Sequence, residues 1–232
     1  MEYWHSLGSL KTARIAGKLS YPKDFVLLTL QVLELINTLG DSEAPSKVTF
    51  PYLYIDTEKL SRAFIVKVNQ IVSFAFPFSL YYRTDSAGIH QLCINYRDIE
   101  LDSMIISKAK SLAFGFDLGK DTYAAQIQGA NFHDSTTVAA IKIFEYILSL
   151  EPSYIRYDYD ERASNGSLHP TYHFDVNYNK NYSFKIGLYN DLEISKFREV
   201  LSKDYDAWYT KPYSLLSKIE RMIVEKLELK KK

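Results

Sequence analysis

The ionisable side chains that could carry out chemistry concentrate in one stretch of the chain, from Tyr154 to Leu188. No other part of the sequence repeats Asp, His and Arg at a fixed spacing. Two runs in this stretch alternate ionisable with apolar residues, and a loop containing Asn165 and Gly166 separates them. The candidate site residues of these runs are Arg156, Asp158, Asp160, His169, His173 and Asp175.

Two kinds of chemistry fit these residue types. Carboxylate oxygens and an imidazole nitrogen could together hold a divalent cation. The same groups could instead supply a general base and its orienting carboxylate, while Arg156 stabilises a phosphorane. We expect a base such as His173 to be at least partly exposed to its substrate. The candidate catalytic residues are Asp158, Asp160, His173 and Asp175, and the candidate substrate-binding residues are Arg156 and His169.

A third interpretation of the same residues involves no catalysis. They would form the solvated face of a sheet, on which Arg156 pairs with Asp158 or Asp175. The sequence alone leaves these three interpretations open.

A β-meander is the element that would bring these residues together. Because successive strand side chains point to opposite faces, alternate residues share a face. The ionisable residues of both runs lie opposite an apolar set, as is typical of a half-buried antiparallel sheet. A third run after Asn179-Lys180-Asn181 continues the pattern, so we predict three strands. The apolar set consists of Ile155, Tyr157, Tyr159, Tyr172, Phe174, Val176, Tyr178, Tyr182, Phe184, Ile186 and Leu188.

The spacing of His169 and His173 is that of a helical zinc motif, but the local pattern indicates a strand. Pro170 and the alternation around it disfavour a helix. On a strand, two residues four positions apart are about 13 Å apart. We therefore expect the two imidazoles to be too far apart to share one ion.

The rest of the chain predicts helices and further paired strands. Pro22 and Gly40 bound an apolar helical pattern, and Ser135 begins another that ends before Pro152. Asp56 fits a helix N-cap, with Leu60 to Val72 as the apolar face of that helix. Strands are expected at 48–55, 73–83 and 89–96, and helices after Asp102, Asp191 and Pro212.

These patterns predict an α+β fold with a mainly antiparallel sheet, including the C-terminal three-stranded meander, packed by flanking helices. We expect a single domain over residues 1–232. A subdivision into 1–130 and 131–232 is the alternative, because residues 113–134 have mixed character.

Composition excludes several classes of protein. The 28 basic and 28 acidic residues leave no net charge, which argues against non-specific polyanion binding as the main activity. A single cysteine, Cys93, excludes an internal disulfide framework and a cysteine-based zinc site. The absence of a long apolar run and of a signal-peptide pattern predicts a cytoplasmic protein without a membrane segment. The sequence also lacks phosphate-binding glycine loops and the G-x-S-x-G elbow of many hydrolases.

The meander and the helices predicted after it resemble a bacterial family described only as a domain of unknown function, often encoded beside restriction and phage-defence genes. More faintly, the Arg-Asp and His motifs are similar to those borne on strands in small bacterial ribonuclease toxins. The resemblance covers about residues 145–210. It implies a defence or toxin context. It is carried by Arg156-Tyr157-Asp158-Tyr159-Asp160 and by Leu168-His169-Pro170-Thr171-Tyr172-His173-Phe174-Asp175.

Two function classes follow. The first is a defence- or toxin-type effector that acts on nucleic acid, a nuclease-like hydrolase such as a ribonuclease, with a divalent cation as a candidate cofactor. The second is a non-catalytic subunit of a defence system that binds a partner protein or senses a ligand. Convergence of carboxylate and imidazole atoms within about 4 Å in a concave site would favour the enzyme. A flat exposed sheet would favour the partner-binding subunit.

Overall fold

A computed structural model provides the structure of this chain, and it describes residues 1–8, 19–116, 127, 132–166, 168–177, 183–202 and 204. The chain forms two compact units, Met1–Ile194 and Ser195–Lys232. The predicted helix after Pro212 lies outside the described residues, as does most of the segment 113–134.

A seven-stranded antiparallel sheet organises the first unit. Its strands lie in the order β1-β2-β3-β4-β8-β9-β10, and every neighbouring pair is antiparallel. The predicted α+β class and antiparallel sheet are confirmed, and β8, β9 and β10 are the predicted meander. The strand bounds are β1 Glu2–Ser6, β2 Tyr52–Asp56, β3 Arg62–Lys67, β4 Gln70–Ala75, β8 Ile155–Tyr159, β9 Tyr172–Val176 and β10 Phe184–Leu188.

Three further strands form a smaller antiparallel sheet in the order β5-β6-β7. The predicted turn at Asp85 closes the hairpin of the first two strands, because the Asp85 carboxylate accepts hydrogen bonds from the N–H groups of Ala87 and Ile89. Gly88 supplies the positive φ of 79° that this turn needs. The bounds are β5 Ser79–Thr84, β6 His90–Tyr96 and β7 Ile99–Glu100.

Four α-helices lie within the described residues: α1 Pro22–Leu39, α2 Ser103–Gly115, α3 Ser135–Ser149 and α4 Ile194–Leu201. Asp102 and Asp134 cap α2 and α3 through hydrogen bonds to backbone N–H groups of the first turn. The last of these helices begins three residues after the predicted cap Asp191, whose carboxylate instead accepts hydrogen bonds from the Tyr157 hydroxyl and the Leu192 N–H. None of the described helices is long and apolar enough to cross a membrane.

The main core lies between one face of strands β1 to β4 and the helices α1, α2 and α3. We call this face of the seven-stranded sheet the inner face. Phe74 on β4 meets Phe25 on α1 edge to face, with ring centroids 5.9 Å apart. Strand residues of the inner face in this core are Tyr3, Leu53, Ile55, Ala63, Ile65, Val72 and Phe74.

The predicted helix after Asp56 is wrong, because this segment forms the β2–β3 hairpin and the strand β4. The Asp56 carboxylate does accept hydrogen bonds from the N–H groups of Glu58, Lys59 and Leu60, as an N-cap would. These bonds close a turn rather than start a helix, and the apolar residues that follow pair as strands. The sequence of β1 shows no pattern that predicts a strand. The strand is recognised only from its antiparallel pairing with β2.

We predict that Asp56→Ala lowers the free energy of unfolding by about 1–3 kcal/mol, because three backbone N–H groups of the β2–β3 turn lose their acceptor. Asp56 is buried, and its hydrogen bonds outweigh the effect of burial and lower its pKa. Urea unfolding of the variant measures the loss. Asp56→Asn keeps an acceptor and should lose less. Equal stability of Asp56→Ala and the wild type would contradict this role.

Candidate functional site

The inner face changes character where the sheet passes from β4 to β8. Val72 on β4 lies in the core, and its register neighbours across β8, β9 and β10 are Arg156, Asp175 and Lys185. The next row on the same face carries Gln70, Asp158, His173 and Gly187. Along the row of Val72 the inner face is thus apolar in β2, β3 and β4 and charged in β8, β9 and β10. We call its charged and polar part the polar cluster: Lys67, Gln70, Arg156, Asp158, His173, Asp175 and Lys185.

The guanidinium of Arg156 bridges the two carboxylates of the cluster. Its Nε donates to Oδ2 of Asp158 at 2.7 Å, and its Nη2 contacts Oδ2 of both Asp158 and Asp175. Burial disfavours the charged guanidinium, but Asp158 and the other anionic neighbours outweigh it and raise the pKa of Arg156. The pairing proposed as the third interpretation of the sequence is therefore present with both aspartates.

The second oxygen of each carboxylate is held by a different neighbour. Oδ1 of Asp158 accepts from the Gln70 amide at 2.8 Å, and Gln70 in turn accepts from Lys67 at 2.9 Å. Oδ1 of Asp175 accepts from Lys185 at 2.6 Å. Burial alone would raise the pKa of Asp175, but Lys185 and Arg156 outweigh it and hold this pKa below its usual range. All four carboxylate oxygens thus have a donor.

The imidazole of His173 lies at the floor of the cluster and is fixed at both nitrogens. Its Nδ1 lies 2.7 Å from the carbonyl oxygen of Pro170, which can only accept, so Nδ1 carries a proton. Its Nε2 lies 2.9 Å from Nζ of Lys185 and accepts from it. Nε2 also faces Oδ2 of Asp158 at 3.7 Å and Oδ2 of Asp175 at 3.9 Å. His173 therefore lacks the exposure that we expect of a base, since only 1% of it is accessible.

Gly187 allows the loop before β9 to close over His173. A Cβ atom at Gly187 would lie 2.9 Å from Cγ of Pro170, which is closer than real side chains approach one another. The missing side chain therefore lets the proline ring pack against β10. This contact places the carbonyl of Pro170 where His173 can donate to it.

His169 lies much closer to His173 than a continuous strand would allow. The ring centroids are 4.8 Å apart and the rings are nearly perpendicular, so the predicted separation of about 13 Å is wrong. The physical reason is that β9 begins only at Tyr172, while His169 pairs with Asn165 in an isolated bridge of the loop. Asp160 approaches Nε2 of His169 at 3.9 Å. The structure therefore brings all six candidate residues to one region.

The mouth of the site consists of the longer and more exposed side chains. About a third of each of Arg156, Lys185 and His169 is accessible, whereas Asp158 and Asp175 are mostly covered. The solvent-accessible groups are therefore the cations of Arg156 and Lys185 and the imidazole of His169. The carboxylates and the imidazole of His173 are covered. The site is therefore half-buried and is not a fully exposed sheet face.

Sequence reasoning missed four residues of this region: Lys67, Gln70, Lys185 and Gly187. The alternation that assigned Phe184 and Ile186 to the apolar face already places Lys185 and Gly187 on the polar one, so this signal was available. The sequence does not assign Lys67 and Gln70 to the site, because the pattern around them predicts a helix and not two paired strands.

A separate cleft of about 360 Å³ lies between the end of α1, strand β6 and the start of α2. Three acidic residues line it, Asp41, Glu100 and Asp102, of which Asp102 caps α2 and Glu100 pairs with Arg83. His90 in this cleft is hydrogen-bonded to Thr84. This cleft does not gather a set of acid, base and cation comparable to the polar cluster.

No family model, curated protein or solved structure matches this chain. Its function is therefore inferred from the geometry of the polar cluster.

We predict that Gly187→Ala destabilises the fold by about 1–3 kcal/mol, because a methyl group at this position overpacks against Pro170. Thermal and urea unfolding measure the effect. A second substitution, Pro170→Ala in the Gly187→Ala background, removes the opposing ring atom and should recover part of the stability. Wild-type stability in Gly187→Ala alone would show that the loop does not close in this way.

We also predict a pH dependence of stability that comes from Asp175. Because its pKa is lower in the folded than in the unfolded chain, its charge stabilises the fold above the ordinary value of 3.8. This contribution is lost as the pH falls through the lowered folded-state pKa. The difference in melting temperature between the wild type and Asp175→Asn should therefore be largest near neutral pH and shrink in acid. Asp160→Asn, at the exposed end of the same hairpin, is the control and should show a smaller difference. A pH-independent difference for Asp175→Asn would exclude the ion pairs as its cause.

Proposed function

We propose that this chain is a nuclease-like hydrolase, a bacterial effector of defence or toxin type that acts on RNA at the polar cluster. The observation that carries the proposal is which charges of the site are accessible. Three cationic side chains, those of Lys67, Arg156 and Lys185, outnumber the two carboxylates, which are already fully hydrogen-bonded. Asp160, beside His169, balances the third cation of the region. Arg156 and Lys185 are nevertheless accessible whereas Asp158 and Asp175 are mostly covered, which favours an anionic substrate such as a phosphodiester.

The accessible side chains define the roles in this proposal. Arg156 and Lys185 bind the scissile phosphate and stabilise the negative charge that develops on its oxygens. His169, the accessible imidazole, takes the proton of the ribose 2′-hydroxyl, with Asp160 orienting the ring. The 2′ oxygen then forms a bond to phosphorus while the bond to the 5′ oxygen breaks. The 5′ oxygen takes a proton from solvent, which leaves a 2′,3′-cyclic phosphate and a 5′-hydroxyl.

The buried members of the cluster are positioning residues in this proposal. Asp158 and Asp175 orient Arg156 through ion pairs on its buried side, and His173 orients Lys185 by accepting a hydrogen bond from it. Their substitution should lower stability and activity together, because each leaves a buried charge or donor without its partner. The initial assignment of base chemistry to His173 is replaced by His169, since the substrate can reach the latter.

A second candidate function is a non-catalytic subunit of a defence system that binds a partner protein, and strand β10 favours it. In β10 the side chains of Phe184 and Ile186 are 54% and 41% exposed. Its one charged side chain, Lys185, is turned inward to Asp175 and His173. An edge strand with exposed apolar residues and no outward charge is suited to pairing with a strand of another protein.

Cleavage of a labelled single-stranded RNA tests the proposal against the second candidate. We predict that the wild type cleaves RNA but not the all-deoxy strand of the same sequence, which lacks the attacking hydroxyl. His169→Ala should lower the rate by about 10²–10⁴-fold without a change in melting temperature. Lys185→Met should weaken RNA binding, and the effect of salt on binding should decrease with it.

His90→Ala is the matched control for His169, because His90 is an exposed histidine on β6, in the smaller sheet. It should leave cleavage unchanged. Growth inhibition or phage protection in cells gives the second readout. Loss of the cellular effect in Ile186→Lys, with full effect in His169→Ala and no cleavage of RNA, would overturn the hydrolase proposal and favour the partner-binding subunit.

A further inference from the structure

The donor atoms of Asp158, His173 and Asp175 are arranged around a common point. One ligand atom from each of the three residues lies within 4.8 Å of those of the other two. Two donors of a tetrahedral zinc ion, each about 2.1 Å from the metal, lie about 3.4 Å apart. The distances from Nε2 to the two Oδ2 atoms are 3.7 Å and 3.9 Å. The two Nε2–Oδ2 distances are thus close to the spacing in a zinc site, whereas the longest separation of the set, 4.8 Å, must shorten by about 1.4 Å when an ion binds.

The atoms that point away from this centre are already anchored. Nδ1 of His173 donates to Pro170, Oδ1 of Asp158 accepts from Gln70, and Oδ1 of Asp175 accepts from Lys185. Outer partners of this kind orient the ligands of protein metal sites and fix the histidine tautomer. The tautomer inferred from these contacts leaves Nε2 free of a proton, as metal binding requires.

A cation of the protein itself already occupies the centre. Nη2 of Arg156 contacts both Oδ2 atoms, and Nζ of Lys185 contacts Nε2 of His173. The three inward donor atoms are therefore held together by positive charge. A divalent ion at the centre would contact both Oδ2 atoms and Nε2 at once, whereas the protein uses Arg156 for the carboxylates and Lys185 for the imidazole. Arg156 is 30% accessible, so its side chain has a route to the solvent.

We propose that Asp158, His173 and Asp175 form a binding site for a divalent transition-metal cation of the zinc type, which displaces the Arg156 guanidinium. One imidazole and two carboxylates are a donor set that suits zinc or manganese better than calcium, which takes six or more oxygen ligands. Lys185 gives up Nε2 of His173 on binding and keeps its bond to Oδ1 of Asp175. The inference goes beyond RNA cleavage, because it concerns the affinity for the metal alone.

Calorimetric titration of the purified full chain with Zn²⁺ tests this site, with Ca²⁺ as the comparison ion. One Zn²⁺ should bind per chain and raise the melting temperature, whereas Ca²⁺ should do neither. Asp175→Asn and Asp158→Asn should each abolish binding. Gln70→Ala, which removes an outer partner only, should weaken binding by about 10–100-fold.

Arg156→Met gives the sharpest test because it removes the competing cation and keeps the length of the side chain. Without metal this variant should be less stable than the wild type, since two carboxylates lose their partner. With Zn²⁺ it should bind more tightly than the wild type, and its melting temperature should rise further. If Arg156 has only a structural role, Arg156→Met should lose stability without gaining affinity for Zn²⁺.

Other histidines could bind zinc at the surface, so His5→Ala and His169→Ala are the controls. His5 lies beside Glu43 and His169 beside Asp160, and neither belongs to the proposed donor set. Both variants should bind Zn²⁺ as the wild type does. The proposal is overturned if the wild type binds no Zn²⁺, if Asp175→Asn binds it unchanged, or if either histidine control removes the binding. These outcomes do not depend on whether the chain cleaves RNA.

Discussion

The contact of one guanidinium with two carboxylates is the interaction on which the site depends. Asp158 and Asp175 lie on neighbouring strands, and each would repel the other if Arg156 did not stand between them. Because the three side chains are partly removed from water, their attraction is screened less than that of a surface pair. Gln70 and Lys185 donate to the second oxygen of each carboxylate, and His173 accepts a further hydrogen bond from Lys185. A charged group is thus accommodated on a sheet face that elsewhere is packed against helices.

The continuity of the sheet explains how this arrangement arises. Antiparallel register aligns residues in rows across all seven strands, so a row that begins in the core at Leu53 and Ile65 continues through Val72 into Arg156. Helices α1, α2 and α3 cover the apolar part of these rows. The charged part is therefore held at a fixed distance from a rigid core. A site of this kind is more precisely positioned than one built on loops.

The sequence predicted much of this architecture, and the failures have physical causes. The period-two pattern predicted the meander and the shared face of Arg156, Asp158, His173 and Asp175, because strand geometry is local. The segment after Asp56 was interpreted wrongly, since an aspartate that accepts several N–H groups can close a turn as well as start a helix. The proximity of His169 to His173 depends on where β9 begins. Near that boundary Pro170 packs against Gly187 on the neighbouring strand β10, a contact that no local pattern encodes.

The packing of Pro170 against Gly187 also has a consequence for recognising related proteins. The ring of Pro170 fits against position 187 only because glycine has no side chain. In related proteins we therefore expect a substitution at one of these two positions to be accompanied by a substitution at the other. Combined with the residues that they position, they define a sequence pattern: His169-Pro170, then His173 and Asp175, and further along the chain Lys185 and Gly187. Chains that share this pattern without overall similarity would be candidates for the same site. The spacing of a proline and a glycine could thus identify relatives that the charged residues alone would miss.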